Sequence, residues 1–265
     1  MINKYSEFFK MEIKEDLADR SRFILWIISK PISMMINILI WTAIFSNSNS
    51  LSIGGFSIGQ TINYFLFQAV FGNIIFNNIS EKIGAKIYSG ELSTSLLKPV
   101  NFSISMVSKS LGGRFFSLIY ESIPTHAIAM LFFGMQIYNK PAIILSIISL
   151  FLGLLINCFF SLSWSLLYFK TLNYMPLERI KRFVIQFISG FYLPLNFFPL
   201  ALQNVLKFLP FNFLLYEPTK IFLNIYSFKE ILGVMLIQIV WIIVLYGTFN
   251  FFFKITLKKF EGVGA

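Results

Sequence analysis

Charge is scarce in this 265-residue chain, and histidine and cysteine are almost missing: 22 Lys or Arg, 12 Asp or Glu, one His and one Cys. At 13% charged residues, against about 25% in soluble domains, a solvated globular surface is excluded. One cysteine permits neither an intrachain disulfide nor a thiol-ligated metal site, so Cys158 reads as a small buried hydrophobe. No GxxxxGK[ST] loop occurs, and Gly54-Gly55 and Gly112-Gly113 lack a strand-to-helix context and a following Lys. HExxH is also missing and the chain has a single His, so metal-dependent hydrolysis lacks parts. Work against a gradient would draw its energy from an ion or from another subunit. No cleavable leader is expected: the first 22 residues are highly charged and the apolar run after them is too long for a leader core.

Apolar residues are plentiful: 56% of the chain, with a mean hydropathy of +0.72. They are blocked into runs of membrane length, so an all-α polytopic membrane protein is expected. Residues 1–22 read as an amphipathic interfacial helix. Tyr5, Phe9, Ile13 and Leu17, with Phe8 beside them, form one face, and Lys4, Glu7, Lys10, Lys14, Glu15 and Arg20 the other. A solvated tail is the alternative. Six spans are expected at about 23–45, 56–79, 115–137, 141–169, 180–198 and 231–253. Trp41, Tyr138 and Tyr168 near span ends suit an aromatic belt.

The basic residues set the orientation. One side of the six-span arrangement receives 17 of the 22, the other only Lys140, Lys207, Lys220 and Lys229, and Lys30 falls within the first span. The richer side is expected to be cytoplasmic, with both termini inside. The net charge of +10 is then a topology signal, and nucleic acid is not needed to explain it. Residues 190–224, GFYLPLNFFPLALQNVLKFLPFNFLLYEPTKIFLN, are broken by Pro194, Pro199, Pro210 and Pro218, with Glu217 beside the last. Apolar pieces at about 199–209 and 211–225 are too short to cross singly. An outer re-entrant hairpin over about 199–225 is expected, buried in protein because lipid cannot satisfy its backbone.

Ionisable groups within spans are Lys30, Glu121 and His126. Lys30 is expected to snorkel to the headgroups; a cross-helix pair with Glu121 is the alternative. Glu121 and His126 lie roughly 140° apart on a helix and share no face, and Pro124 between them should kink it.

Between the second and third spans lies a long polar segment expected in the cytosol. GELSTSLLKPVN, followed by an Arg before the next span, resembles the cytosolic coupling segment of ATP-binding-cassette (ABC) type-2 export permeases. Gly90, Glu91, Leu92, Leu96, Leu97, Lys98, Pro99 and Arg114 carry that likeness, and the Pro-broken stretch, the N-terminal helix and the six spans are similar too. The resemblance implies a pair of six-span subunits, identical or paralogous, in a bacterial cell membrane and bound to two ABC ATPase subunits. ATP and Mg2+ would sit in those partners, and this chain would bind no cofactor. The segment around Glu91 would dock in a cleft of the ATPase with the N-terminal helix beside it. An ion-coupled secondary transporter is the competing reading, and a membrane-embedded transferase a third, which lacks the clustered His, Asp or Glu it needs.

Overall fold

The computed structural model describes residues 2–18, 20–48, 50–171 and 173–258. Met1 and Asp19 of the expected N-terminal helix, and Lys259 of the basic count, lie outside them. The described residues are helical almost throughout; the pairing of Ile53 with Phe56 is an isolated bridge. Helix α1 (Ile2–Ala18) is followed by α2 (Arg20–Ser48). After a short turn a capping box at Ser57 and Gln60 starts α3 (Ile58–Ile75). The chain breaks at residues 76–78, then forms α4 (Ile79–Tyr88) and α5 (Glu91–Leu96).

Helix α6 (Phe102–Ser117) does not stop at its glycines. It runs through a π turn (Leu118–Ser122) into α7 (Ile123–Phe133), so the expected third span from 115 is one continuous rod from Phe102. The π turn answers Pro124, which lacks an N–H for the preceding turn and would crowd its carbonyl. Thr125 Oγ1 donates to the Glu121 carbonyl at 2.7 Å within that widened turn. Gly134 closes α7 at a φ of +63°, and α8 (Lys140–Ser165) follows.

Among the described residues, four helical stretches are long and apolar enough to cross a membrane: Ile28–Ser48, Phe102–Phe133, Lys140–Lys170 and Phe228–Leu257. The two other expected spans look different. Helix α3 covers roughly 27 Å but is interrupted by Thr61, Asn63 and Gln68, all buried. Asn63 bonds the Tyr138 hydroxyl at 3.0 Å and the Gln136 N–H at 2.8 Å, and Gln68 donates to Thr219 at 3.0 Å. Its polar groups face protein, which lowers its hydropathy. Helix α9 (Met175–Ile188) begins five residues before the expected 180 and ends ten before 198. Gly190 turns the chain at a φ of +86°, where a side chain would strike the Tyr64 hydroxyl.

The Pro-broken region divides in two. Helix α10 (Leu200–Leu206) leaves Leu200 and Val205 exposed, whereas α11 (Tyr216–Phe222) is buried against α8. Gly153 of α8 admits the carbonyls of Phe213 and Leu214, which a Cβ would overlap. The last helix, α12 (Phe228–Leu257), starts from a Ser227–Glu230 capping box. Its Gln238 Nε2 donates to the carbonyls of Ser149 and Phe213 at 2.8 and 2.9 Å. Leu39, Ile144, Leu236 and Ile243 point outward from α2, α8 and α12, apolar surface suited to hydrocarbon.

Gln238→Leu should orphan the buried Phe213 carbonyl and take the acceptor from the Ser149 hydroxyl, at a cost of about 1–3 kcal/mol. A lower melting temperature in detergent is the expected readout; an unchanged one would show that these groups do not depend on Gln238.

Candidate coupling surface and polar cavity

Helices α4 and α5 form a braced projection. Gly90, at a φ of +76°, makes the left-handed turn between them. Glu91 opens α5 in solvent, Leu92 is fully buried, Leu96 is half-buried, and Leu97 is 84% exposed, with Lys98 and Pro99 exposed after it. Lys86 Nζ donates to Ser95 Oγ at 2.9 Å, tying the two helices. Partial burial and the nearby cations Lys109 and Lys98 hold the Lys86 ammonium below its ordinary pKa. Arg114 does not join this surface. It points into the bundle, where Nη1 donates to the Asn73 carbonyl at 3.0 Å.

Helix α1 packs along α6. A Cβ on Gly112 would overlap the Phe9 carbonyl, and one on Gly113 would press on Glu12 and Asp16. Phe9 meets Phe115 at 5.6 Å, Lys109 lies over Phe8 at 5.9 Å, and the Asn101 N–H donates to the Tyr5 hydroxyl at 3.1 Å. Glu12, buried, pairs with Lys82 of α4. The paired glycines are therefore a close-approach seat for α1.

The other side of α4 is bound to α9. Ser80 and the Tyr168 hydroxyl donate to Glu178 Oε2 at 2.7 and 2.6 Å, Lys181 pairs with Glu178 at 2.8 Å, and Arg182 with Glu81 at 2.9 Å. Gly84 makes room for the Tyr174 and Tyr168 rings. Burial alone would raise the Glu178 carboxyl, but Lys181, Tyr168 and Ser80 outweigh it and hold the group below the usual carboxylate value.

Between these elements lies a polar cavity of about 380 Å³. It is lined by the acids Glu81, Glu121 and Glu178, the cations Arg114, Lys181 and Arg182, and five carboxamides, with Trp26 at its edge. It shares Glu81, Glu178, Arg182 and Gln186 with a neighbouring hollow of about 450 Å³ beside Tyr174 and Arg179. Residues 32–264 match the family profile described as ABC-2 family transporter protein. The chain belongs to the ABC-2 transporter family. No curated protein matches it.

In this ABC-2 family member, an integral membrane protein of a family of transport subunits, the sequence-predicted residues fall into separate places. Glu121, buried in the π turn, reaches the cavity that Arg114 also lines, but Lys30 and His126 do not. Lys30 lies over the Trp26 ring at 4.8 Å. His126 sits 6.3 Å from the Phe71 ring, apart from both. Pro194 and Pro199 begin the short turns around α10, Pro210 precedes the buried turn at Phe213, and Pro218 occupies the first turn of α11. Glu217 accepts from the Tyr226 hydroxyl at 2.5 Å, beside Lys220, in a separate hollow of about 330 Å³. Scanning spans for ionisable groups passed over the carboxamides and the Glu178–Lys181 pair; the available signal was Asn73 and Asn157 inside apolar runs.

Glu178→Leu should leave Lys181 buried and unpaired, a loss of about 3–5 kcal/mol, read as a lower melting temperature. Because the Glu178 pKa is depressed on folding, its contribution is complete above the unfolded carboxylate value of 4.5. It is lost as the pH falls through the lower folded value. Glu178→Gln should flatten this acid limb, and an unaltered limb would assign it to other carboxylates.

Proposed function

We propose that this chain is the membrane-spanning permease subunit of an ABC exporter, with its translocation path driven by ATP hydrolysis in a separate ATPase subunit. The observation that carries the reading is the braced projection: an exposed Glu91 and Leu97 at either end of a short helix whose root, α4, is bonded to α1 and α9. A docking surface needs exposed side chains, and a lever needs a stiff root; both are in one element. The Gly90–Pro99 segment sits in a cleft of the ATPase, where ATP and Mg2+ are bound, with α1 beside it. Movement of that cleft reaches α9 through the Arg182–Glu81 and Ser80–Glu178 bonds, and a second copy or a paralogue completes the path. Six spans, an outer re-entrant hairpin around α10 and α11, and both termini in the cytosol of a bacterial cell complete the arrangement.

Purification from native membranes should bring down a stoichiometric ABC ATPase. Leu97→Glu should abolish that capture while the permease still elutes as a folded species; transport by the lone protein without ATP would overturn the reading. Leu97→Cys should react with an impermeant maleimide only in inside-out vesicles, since the native Cys158 is buried. Labelling in intact cells would put the projection on the wrong side.

A buried Glu121 in a widened turn favours the second reading, an ion-coupled carrier. That reading requires ATP-independent transport lost in Glu121→Gln.

A further inference from the structure

Helix α9 wears its polarity inside out. Its buried face carries Glu178 and Lys181, whereas Ile180, Phe183, Val184 and Phe187, at the i, i+3, i+4 and i+7 positions of one stripe, are exposed. Ile180 and Phe183 are 56% and 63% exposed. The stripe is continuous: the Phe183 and Phe187 rings stack at 6.2 Å, and Phe187 meets Phe198 beyond the helix at 5.1 Å. A helix facing water would turn the carboxylate and the ammonium outward; this outer face is built for hydrocarbon. Arg179 stands at its foot. It lies four residues, about one turn, before Phe183, so the two share a side of the helix. Both line the hollow of about 450 Å³ beside α4 and α9.

The charges of that hollow do not cancel. Glu81 is taken by Arg182 at 2.9 Å, and Glu178 by Lys181 at 2.8 Å. Arg179, exposed, pairs with no carboxylate among the described residues. The lining therefore holds a surplus guanidinium, a planar fork of donors that matches a phosphate. A ligand that satisfies both the guanidinium and the stripe must join an anionic head to a long apolar tail. An acidic peptide would meet Arg179 and leave the stripe unmatched, and a soluble phosphate has no tail to lay on it. Lys170, Arg179, Lys181 and Arg182 put this end of α9 on the basic side of the bundle, where cations beside a helix end draw anionic headgroups. We infer that Arg179 and the α9 stripe bind one anionic phospholipid of the leaflet on that side, its phosphate at Arg179 and an acyl chain along Phe183 and Phe187. A zwitterionic phospholipid brings the same chain and phosphate with a cation beyond it, which the surplus positive charge disfavours. Because Arg182 shares the hollow, the lipid sits against the Arg182–Glu81 joint between α9 and α4. The site stands on membrane embedding alone and does not need the permease reading.

The test uses the full chain in a non-ionic detergent, with one-to-one lipid adducts counted by native mass spectrometry. Dioleoyl phosphatidylglycerol and dioleoyl phosphatidylcholine, matched in their chains, are titrated separately. Phosphatidylglycerol should bind the more tightly. Arg179→Gln should weaken it about fivefold and leave phosphatidylcholine unchanged, with melting temperature held because the side chain is exposed. Arg179→Lys, which keeps the charge, should retain most of the preference. Phe183→Ser should weaken both lipids, and Lys207→Gln, at an exposed cation outside the hollow, should alter neither. Equal affinity for the two lipids, a preference that survives Arg179→Gln, or a dimer that sheds the lipid as it forms overturns the assignment. The last of these would give the stripe to a second copy of the chain.

Discussion

Hydrocarbon offers no hydrogen bonds, so each backbone group released by a broken helix must find a partner inside the protein. This chain breaks its helices repeatedly, and the partners are the polar residues set within its apolar runs. The C-terminal carbonyls of α3 are taken by Arg114 and Asn157. The turn after α9 is held by the Tyr64 hydroxyl on the Gly190 carbonyl at 2.6 Å and by the Tyr216 N–H on Ser189 at 3.1 Å. Gln238 Nε2 donates to the carbonyl of Phe213. These contacts join residues from 25 to 126 positions apart, so the irregular segments can exist only once the bundle is assembled around them.

The same bonds make the region around α4 a rigid junction. Its residues are tied to α1 by Lys82, to α5 by Lys86 and to α9 by Ser80 and Glu81. A buried ion pair adds little net stability over apolar packing, but it fixes which residues meet. That specificity suits an element proposed to pass displacement from a docked partner to the spans, since slack at any of these joints would absorb the motion.

Local pattern in the sequence carried the elements whose causes are local. The four-residue recurrence of Tyr5, Phe9, Ile13 and Leu17 predicts α1, and Tyr5 and Phe9 are among the residues that reach α6 and its N-cap. The prolines after Gly190 mark short, interrupted pieces, and α10 and α11 are seven residues each. Arg114 was misplaced because nearness in sequence stood in for nearness in space: thirteen residues of helix from Asn101 carry it roughly 20 Å along α6. The break at residues 76–78 was hidden because the groups that satisfy its freed carbonyls, Arg114 and Asn157, lie 41 and 82 residues away. The early stop of α9 depends on Tyr64 and Tyr216 crowding Gly190, which no local pattern announces. The cavity combines both failures, as its wall is drawn from α2, α3, α6, α8 and α9.

The π turn at Leu118–Ser122 holds one surplus residue relative to a regular α-helix. Excising a single position there would let the ladder close in ordinary register. Everything beyond it would then be turned by about 100° and drawn back by about 1.5 Å, while the α1-bound half stayed where it is. The bulge therefore acts as a phase offset, setting which compass bearing α7 presents to α2 and α3 independently of how α6 is seated. A lineage could re-aim one half of this rod by gaining or losing one residue, without touching the glycine seat at the other end.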